Sequence, residues 1–161
     1  MTTTAAETAQ EAPPKVPRWL VRTIWIAHRA LYRLTPGRFG LRRATSSQWG
    51  MLRLRTLGRQ TGKARVAIVG YIEDGPNVVV PAMNGWAEPE PAWWLNLQAN
   101  PEATVELPGG SRKVTARAAL GEERARLWER FLTLGSSAFT DASAALRSRE
   151  TAIVVLEPRL D

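Results

Sequence analysis

Two alternating runs, Trp49 to Thr56 and Ala64 to Ile72, are joined by Gly58-Arg59-Gln60-Thr61-Gly62-Lys63, and this arrangement constrains the fold more than any other stretch. Alternation with a period of two is the mark of half-buried strands. The two glycines free the backbone to reverse between the runs. The segment therefore predicts a hairpin-like pair with a basic tip, and a β framework for the remainder of the chain.

A phosphate-binding P-loop also contains two glycines and a lysine, but the spacing here differs. Gly58 and Gly62 enclose three residues rather than four, and Ala64 stands where a magnesium-binding Ser or Thr is needed. A P-loop also opens a helix, whereas this loop opens a strand. Nucleoside triphosphate hydrolysis drops out on both counts. Two readings of the tip stay open: a plain polar turn, or an anion site in which Arg59, Lys63 and Arg65 supply charge beside exposed backbone N–H groups.

Further along, Glu73-Asp74-Gly75-Pro76-Asn77 reads as a turn and Val78-Val79-Val80 as a buried strand. A loop from Pro81 to Pro91 leads into a short helix, Ala92 to Gln98, closed by Ala99-Asn100-Pro101. Ala103 to Leu107 and Lys113 to Ala118 flank Pro108-Gly109-Gly110-Ser111 and read as another hairpin. Helices over Glu122 to Leu134 and Thr140 to Arg149, then an apolar strand Ala152 to Leu156, complete the pattern. Six short, mostly antiparallel strands with helices at the edges predict a small barrel of mainly β or α+β type.

Composition narrows the chemistry. At 161 residues and 44% hydrophobic, the chain suffices for one core and is too short for two full domains. There is no cysteine and a single histidine, His28, which removes disulfides, thiolate nucleophiles and His-rich metal sites. An enzyme built this way imports its reactive group.

The formal charge of +7 belongs to the first half of the chain. No acidic residue lies between Glu11 and Glu73, whereas Lys15, Arg18, Arg22, Arg29, Arg33, Arg38, Arg42, Arg43, Arg53, Arg55, Arg59, Lys63 and Arg65 all do. Such a field favours an anionic partner. Nucleic acid is not expected, because the cations fall on an amphipathic helix and strand edges with no helix-turn-helix or stacking motif.

Residues 1–16 read as a disordered polar tail without a signal-peptide pattern. Residues 17–44 read as a basic amphipathic helix, Pro17 to Leu34, with a connector. On a helical wheel Arg18, Arg22, Arg29 and Arg33 fall within an arc of about 60°. That helix either covers the domain or lies at an anionic lipid surface with Trp19 and Trp25 as anchors. Residues 45–161 form the barrel domain. Within it, Pro91-Ala92-Trp93-Trp94-Leu95-Asn96-Leu97 supplies aromatic surface for a ring. On a helix Trp93 and Trp94 point about 100° apart, so one indole can face the site while the other packs into the core, with Trp93 the choice for the site; the alternative is that both are core.

The succession Leu54 to Val66, then Asn84-Gly85, Pro91 to Pro101, Glu122-Glu123-Arg124-Ala125 and Val154 to Pro158 resembles the deazaflavin-dependent nitroreductase family. The resemblance covers roughly residues 45 to 158. It implies a six-stranded split β-barrel of the flavin-reductase and pyridoxamine-phosphate-oxidase type. It also implies an enzyme that uses the reduced deazaflavin coenzyme F420 to deliver hydride to a quinone, enone or nitro-type acceptor. Carried over by position, it places Arg59, Gln60, Thr61, Lys63 and Arg65 at the coenzyme's phosphate and acidic tail. Val66, Ala67, Ile68, Val69, Gly70, Pro81, Ala82, Met83, Asn84, Ala92, Trp93 and Asn96 are to line the ring and side chain. Two departures stand out: Met83-Asn84 replaces a Ser-Lys pair, and Gly135 to Asp141 carries Phe139 where the nitroreductase-active members have tyrosines.

No catalytic residue is assigned; solvent, Ser47 or Tyr71 are the candidate proton donors. The alternatives are a flavin mononucleotide (FMN) reductase of the same barrel type and a noncatalytic cofactor or lipid carrier. The resemblance further implies a cytoplasmic protein, with contact at the inner face of an anionic membrane if the N-terminal helix lies on lipid. Oligomeric state is not readable.

Overall fold

The computed structural model describes residues 40–84, 89–135 and 150–159. The tail at 1–16, the helix at 17–34, Phe139 and the helix expected at 140–149 lie outside the described residues. The chain divides into two units, 1–39 and 40–161, and the described residues all belong to the second.

Six strands close into one antiparallel barrel. They are β1 (Gly50–Leu57), β2 (Ala64–Asp74), β3 (Asn77–Pro81), β4 (Glu102–Leu107), β5 (Gly110–Ala118) and β6 (Ile153–Pro158). Around the barrel the order is β1-β2-β3-β6-β5-β4, with β4 returning to β1. Two helices complete the unit, α1 (Ala92–Ala99) between β3 and β4, and α2 (Gly121–Leu134) between β5 and β6. The expected strands and the helices at 92 and 122 all form. Strands around the turns run longer than the sequence suggests: β2 continues to Asp74, β3 spans Asn77–Pro81 and β5 begins at Gly110, because the turns need only Gly75-Pro76 and Pro108-Gly109.

Alternation sorts each strand into an interior and an exterior face. In β1, Gly50, Leu52, Leu54 and Thr56 are buried, while Met51, Arg53, Arg55 and Leu57 face outward. The barrel interior is filled by Leu52, Leu54, Tyr71, Val80, Val105, Val114 and Leu156, with Trp93, Trp94 and Leu97 of α1 closing one end. A second cluster joins the outside of the barrel to α2. There Leu127 and Phe131, one helical turn apart, pack on Ile72, Val79, Ile153 and Val155. Each buried side chain of this size contributes roughly 1.5–3 kcal/mol relative to exposure, so α2 is held chiefly by these two anchors. Trp49 reinforces the seam: its ring meets Phe131 edge-on at 5.4 Å, and its Nε1–H donates to the Phe131 carbonyl at 3.2 Å.

Because every neighbouring pair is antiparallel, strand starts and strand ends alternate around each of the barrel's two ends. The upper end gathers the end of β1, the start of β2, the end of β3 and the start of β4, with α1 entering β4. The lower end gathers the start of β1, the end of β2 and the β4–β5 turn. Gly50 pairs with Tyr71 at the lower end and Leu57 with Ala64 at the upper. Seven strand residues at about 3.3 Å each separate the two by about 23 Å.

Candidate functional site

The Gly58–Lys63 loop caps the upper end and is built by its own hydrogen bonds. Gly58 N–H donates to the Lys63 carbonyl at 2.9 Å, while the N–H groups of Thr61 and Gly62 donate to the Gly58 carbonyl at 3.2 and 2.7 Å. Gly62 turns the chain at φ 64°, a left-handed conformation that glycine adopts without strain. Gly58 sits where a side chain would be crowded. A Cβ there would stand 3.2 Å from both the Lys63 carbonyl oxygen and Thr61 Oγ1, and 3.4 Å from Arg65 Cγ. The Arg65 stem thus packs against the loop at Gly58.

Asn96 fixes the loop from below. It lies on α1 and is 4% exposed. Its Oδ1 accepts the Arg59 N–H at 3.1 Å and its Nδ2 donates to Thr56 Oγ1 at 3.2 Å, so one buried amide ties α1, the end of β1 and the loop together. Lys63 N–H makes a longer contact to Thr61 Oγ1 at 3.4 Å. The N–H groups of Arg59, Thr61, Gly62 and Lys63 are therefore occupied, and among the described residues only Gln60 N–H in the loop has no protein partner. This corrects the expectation of a backbone cradle. An anion at this loop is met by side chains, with at most one backbone donor.

The cations of the loop stand apart from most others in the barrel. Arg59, Lys63 and Arg65 are exposed and, among the described residues, meet no carboxylate within salt-bridge distance. By contrast Arg53 and Arg55 share Glu106, Arg117 is clamped by Glu123 and Glu157, and Arg126 and Arg130 converge on Asp74. Among the described residues, the loop and the adjoining Arg65 thus present three cations without carboxylate partners, on a backbone held by its own hydrogen bonds and by Asn96. That donor set fits a phosphate and a carboxylate-rich tail, each charge-assisted bond being worth about 1.5–3 kcal/mol when shielded.

The other expected site residues divide by face and depth. Pro81 and Ala82 are buried at the upper end of β3, where the Ala82 N–H donates to the Ala152 carbonyl at 2.8 Å; Met83 and Asn84 follow, half-buried. Ala92 is exposed at the start of α1. On β2, Ala67 and Val69 face the barrel interior, while Val66, Ile68 and Gly70 face outward, Val66 being 48% exposed. One ligand on one side of β2 therefore meets the side chains of one set or the other. Gly70 sits beneath the Trp49 ring, 3.3 Å from where its Cβ would be. Trp93 and Trp94 are 7% and 6% exposed and both belong to the interior cluster, so neither indole stands out as an open platform.

Two candidate proton donors lie at the lower end. Tyr71 pairs with Gly50 at the lower end and is fully buried, and Ser47 precedes β1 on the Thr45–Gln48 bridge. Both are a barrel's length from the basic loop. Asn96, expected to line the ligand, has a further role that the sequence hid: its buried amide positions the loop.

A family model described as F420H2-dependent quinone reductase matches residues 25–158. A curated F420H2-dependent quinone reductase of Mycobacterium tuberculosis is 30% identical over 150 residues, covering 89% of this chain and 99% of the relative. Among solved structures, an F420H2-dependent reductase (FDR-A) superposes with a TM-score of 0.59 at 23% identity, over 66% of this chain and 93% of that one. The heme storage protein HutZ from Vibrio cholerae reaches 0.51 at 13% identity, over 69% and 82%. These two likenesses concern the fold alone: a barrel shared by F420 and heme proteins. The family match spans β1 through β6 together with the basic loop and α1, and the chain belongs to the F420H2-dependent quinone reductase family.

Proposed function

We propose that this chain uses F420H2 to reduce a quinone-type acceptor, with Arg59, Lys63 and Arg65 holding the coenzyme's phosphate and acidic tail at the upper end of the barrel. The observation that carries this reading is the set of three exposed cations without carboxylate partners among the described residues, on a loop pinned by Asn96, in a chain of this family. When bound, the coenzyme supplies a hydride from C5 of its deazaflavin ring.

The protein's own work is binding, orientation and exclusion of water. Arg59 and Arg65 anchor the anionic end. Gln60 offers its free N–H and its amide to a phosphate oxygen. Pro81, Ala82 and the interior of α1 form a dry wall against which an apolar ring is held, and Met83 and Asn84 border it. Asn84 brings a neutral amide where a lysine would bring charge, so Lys63 carries more of the phosphate than it otherwise would. With Tyr71 and Ser47 at the far end, the proton that completes reduction comes from solvent at the open upper end.

The open upper end would admit a flat quinone beside the bound coenzyme. A lipid-soluble quinone also gives a role to the basic helix read over residues 17–34, as a peripheral contact with an anionic membrane on the cytoplasmic side. Among the described residues no helix is long and apolar enough to cross a membrane.

A fluorescence titration with oxidised F420, run beside FMN at the same salt, tests the cofactor. Micromolar or tighter preference for F420, lost at least several-fold in Arg59→Ala, supports the reading. Preference for FMN replaces it with the flavin alternative, and F420 binding without turnover of any quinone replaces it with a carrier.

A further inference from the structure

The lower mouth of the barrel holds a second group of cations without carboxylate partners among the described residues. Arg112 occupies an interior-facing position of β5, in alternation with the buried Val114 and Ala116, and opposite the buried Val105. An arginine at such a position violates the apolar pattern of the barrel interior. Its Nε is buried and has no hydrogen-bond partner. An unsatisfied donor on a charged group is among the more costly features a domain can retain, which asks for a reason.

Three further donors converge on the same place. Arg43, on the segment leading into β1, puts Nη2 3.2 Å from where a Cβ on Gly109 would stand, so its guanidinium lies over the β4–β5 turn. The Tyr71 hydroxyl accepts the Ala44 N–H at 3.2 Å, leaving its own hydrogen to donate. Burial raises the Tyr71 pKa, opposed by the Ala44 N–H and by the charges of Arg43 and Arg112, and the phenol is a neutral donor at physiological pH. Ser111 adds a hydroxyl. Together these groups line a cavity of about 300 Å³. One carboxylate, Glu73, shares the wall, yet it forms no ion pair with Arg112 among the described residues. Two guanidiniums against one carboxylate leave the cavity net positive.

We infer that the cavity at the lower mouth of the barrel, between Arg43, Tyr71, Ser111 and Arg112, is a binding site for a small oxyanion of carboxylate or phosphate type, separate from the coenzyme site. The Arg43 and Arg112 guanidinium groups hold the oxyanion with the Ser111 hydroxyl, and the buried Tyr71 positions the wall through Ala44. With about 23 Å of barrel between the two ends, binding here does not compete with the basic loop.

Nuclear magnetic resonance titration of the full chain reads the two ends separately. Inorganic phosphate and malonate are added in turn, with sodium chloride at matched ionic strength as the control. Saturable millimolar or tighter shifts of the Gly109, Gly110 and Ser111 amides are expected with at least one of them, and the tighter of the two identifies the oxyanion class. In Arg112→Met the affinity read at these amides falls about tenfold, while phosphate-induced shifts of Gln60 and Gly62 stay as they were. Arg43→Ala, which alters a more exposed side chain, is expected to weaken the lower site likewise and serves if Arg112→Met does not fold. Linear, non-saturating shifts, or unchanged affinity in Arg43→Ala, overturn the site. Loss of the shifts at Gln60 and Gly62 alone bears on the coenzyme reading and leaves this one standing.

Discussion

Arginine is used in two opposite ways on this barrel, and the contrast between the α2 face and the β1–β2 loop shows which use belongs to the fold. On the α2 face, Arg126 donates to both oxygens of Asp74 at 2.9 Å, and Arg130 reaches the same carboxylate at 2.7 Å and the Glu73 carbonyl at 2.9 Å. Arg117 grips Glu123 with two nitrogens and Glu157 with a third. These side chains rivet a helix to the ends of β2, β5 and β6, and the pairing pulls the Asp74 and Glu123 carboxyls below their ordinary pKa values. On the loop, Arg59, Lys63 and Arg65 meet no carboxylate among the described residues. A cation with a partner is spent on structure; a cation without one is available to a ligand. Mere counting of basic residues cannot separate the two.

The contrast is sharpest in a double substitution. Arg59→Ala with Arg65→Ala is expected to raise the F420 dissociation constant about a hundredfold, as the loss of two charge-assisted contacts implies. Its melting temperature should stay within about a degree of the parent, because exposed, unpaired side chains hold nothing together. A fall of several degrees in a thermal melt would mean that the loop cations are structural after all.

Asn96→Ala blurs the two regions, since it strikes the loop through its support. Removing the amide leaves Thr56 Oγ1 and the Arg59 N–H short of partners in a buried place, which costs about 2 kcal/mol. Urea denaturation should report that loss together with a several-fold weaker F420 affinity. Asp74→Asn makes the complementary change. It removes the shared carboxylate of Arg126 and Arg130, and is expected to cost about 1 kcal/mol in the same assay while leaving F420 affinity untouched.

Acid provides the smallest and most graded test. Asp74 and Glu123 have folded-state pKa values below their unfolded ones, each chiefly through hydrogen bonds from its arginine. Their contribution is complete above the unfolded carboxylate range, near pH 4 to 5, and is lost as pH falls through the folded values. Asp74→Asn should therefore show a shallower loss of stability below about pH 4 than the parent. Equal slopes would remove Asp74 from the acid response.

Much of the fold is legible in the residues themselves. Alternation and Gly/Pro punctuation locate all six strands and α1, because burial on one face and tight turns leave a local trace. The basic tip is visible as three cations in and just beyond a pair of glycines. Other features leave none. Whether the loop's N–H groups are free depends on Gly62's φ and on the Thr61 hydroxyl, and an asparagine between Leu95 and Leu97 looks the same whether it faces water or pins a neighbouring loop. Tyr71 and Ser47 look close to the site only because linear distance says nothing about which end of a barrel a residue reaches. Arg112 is detectable as a charge in phase with Val114 and Ala116, but a strand expected to begin at Lys113 starts three residues late and hides the parity.

Closure of the barrel has a consequence for how the chain is made. β3 and β5 meet only through β6, whose first residue lies 35 positions after the last of β5. Until Ile153–Pro158 has left the ribosome, the other five strands form an open sheet with two bare edges, the arrangement most prone to pairing with another copy. The last of the six barrel strands in chain order is thus the one that ends the exposure, and a nascent chain stalled before it is where aggregation should begin.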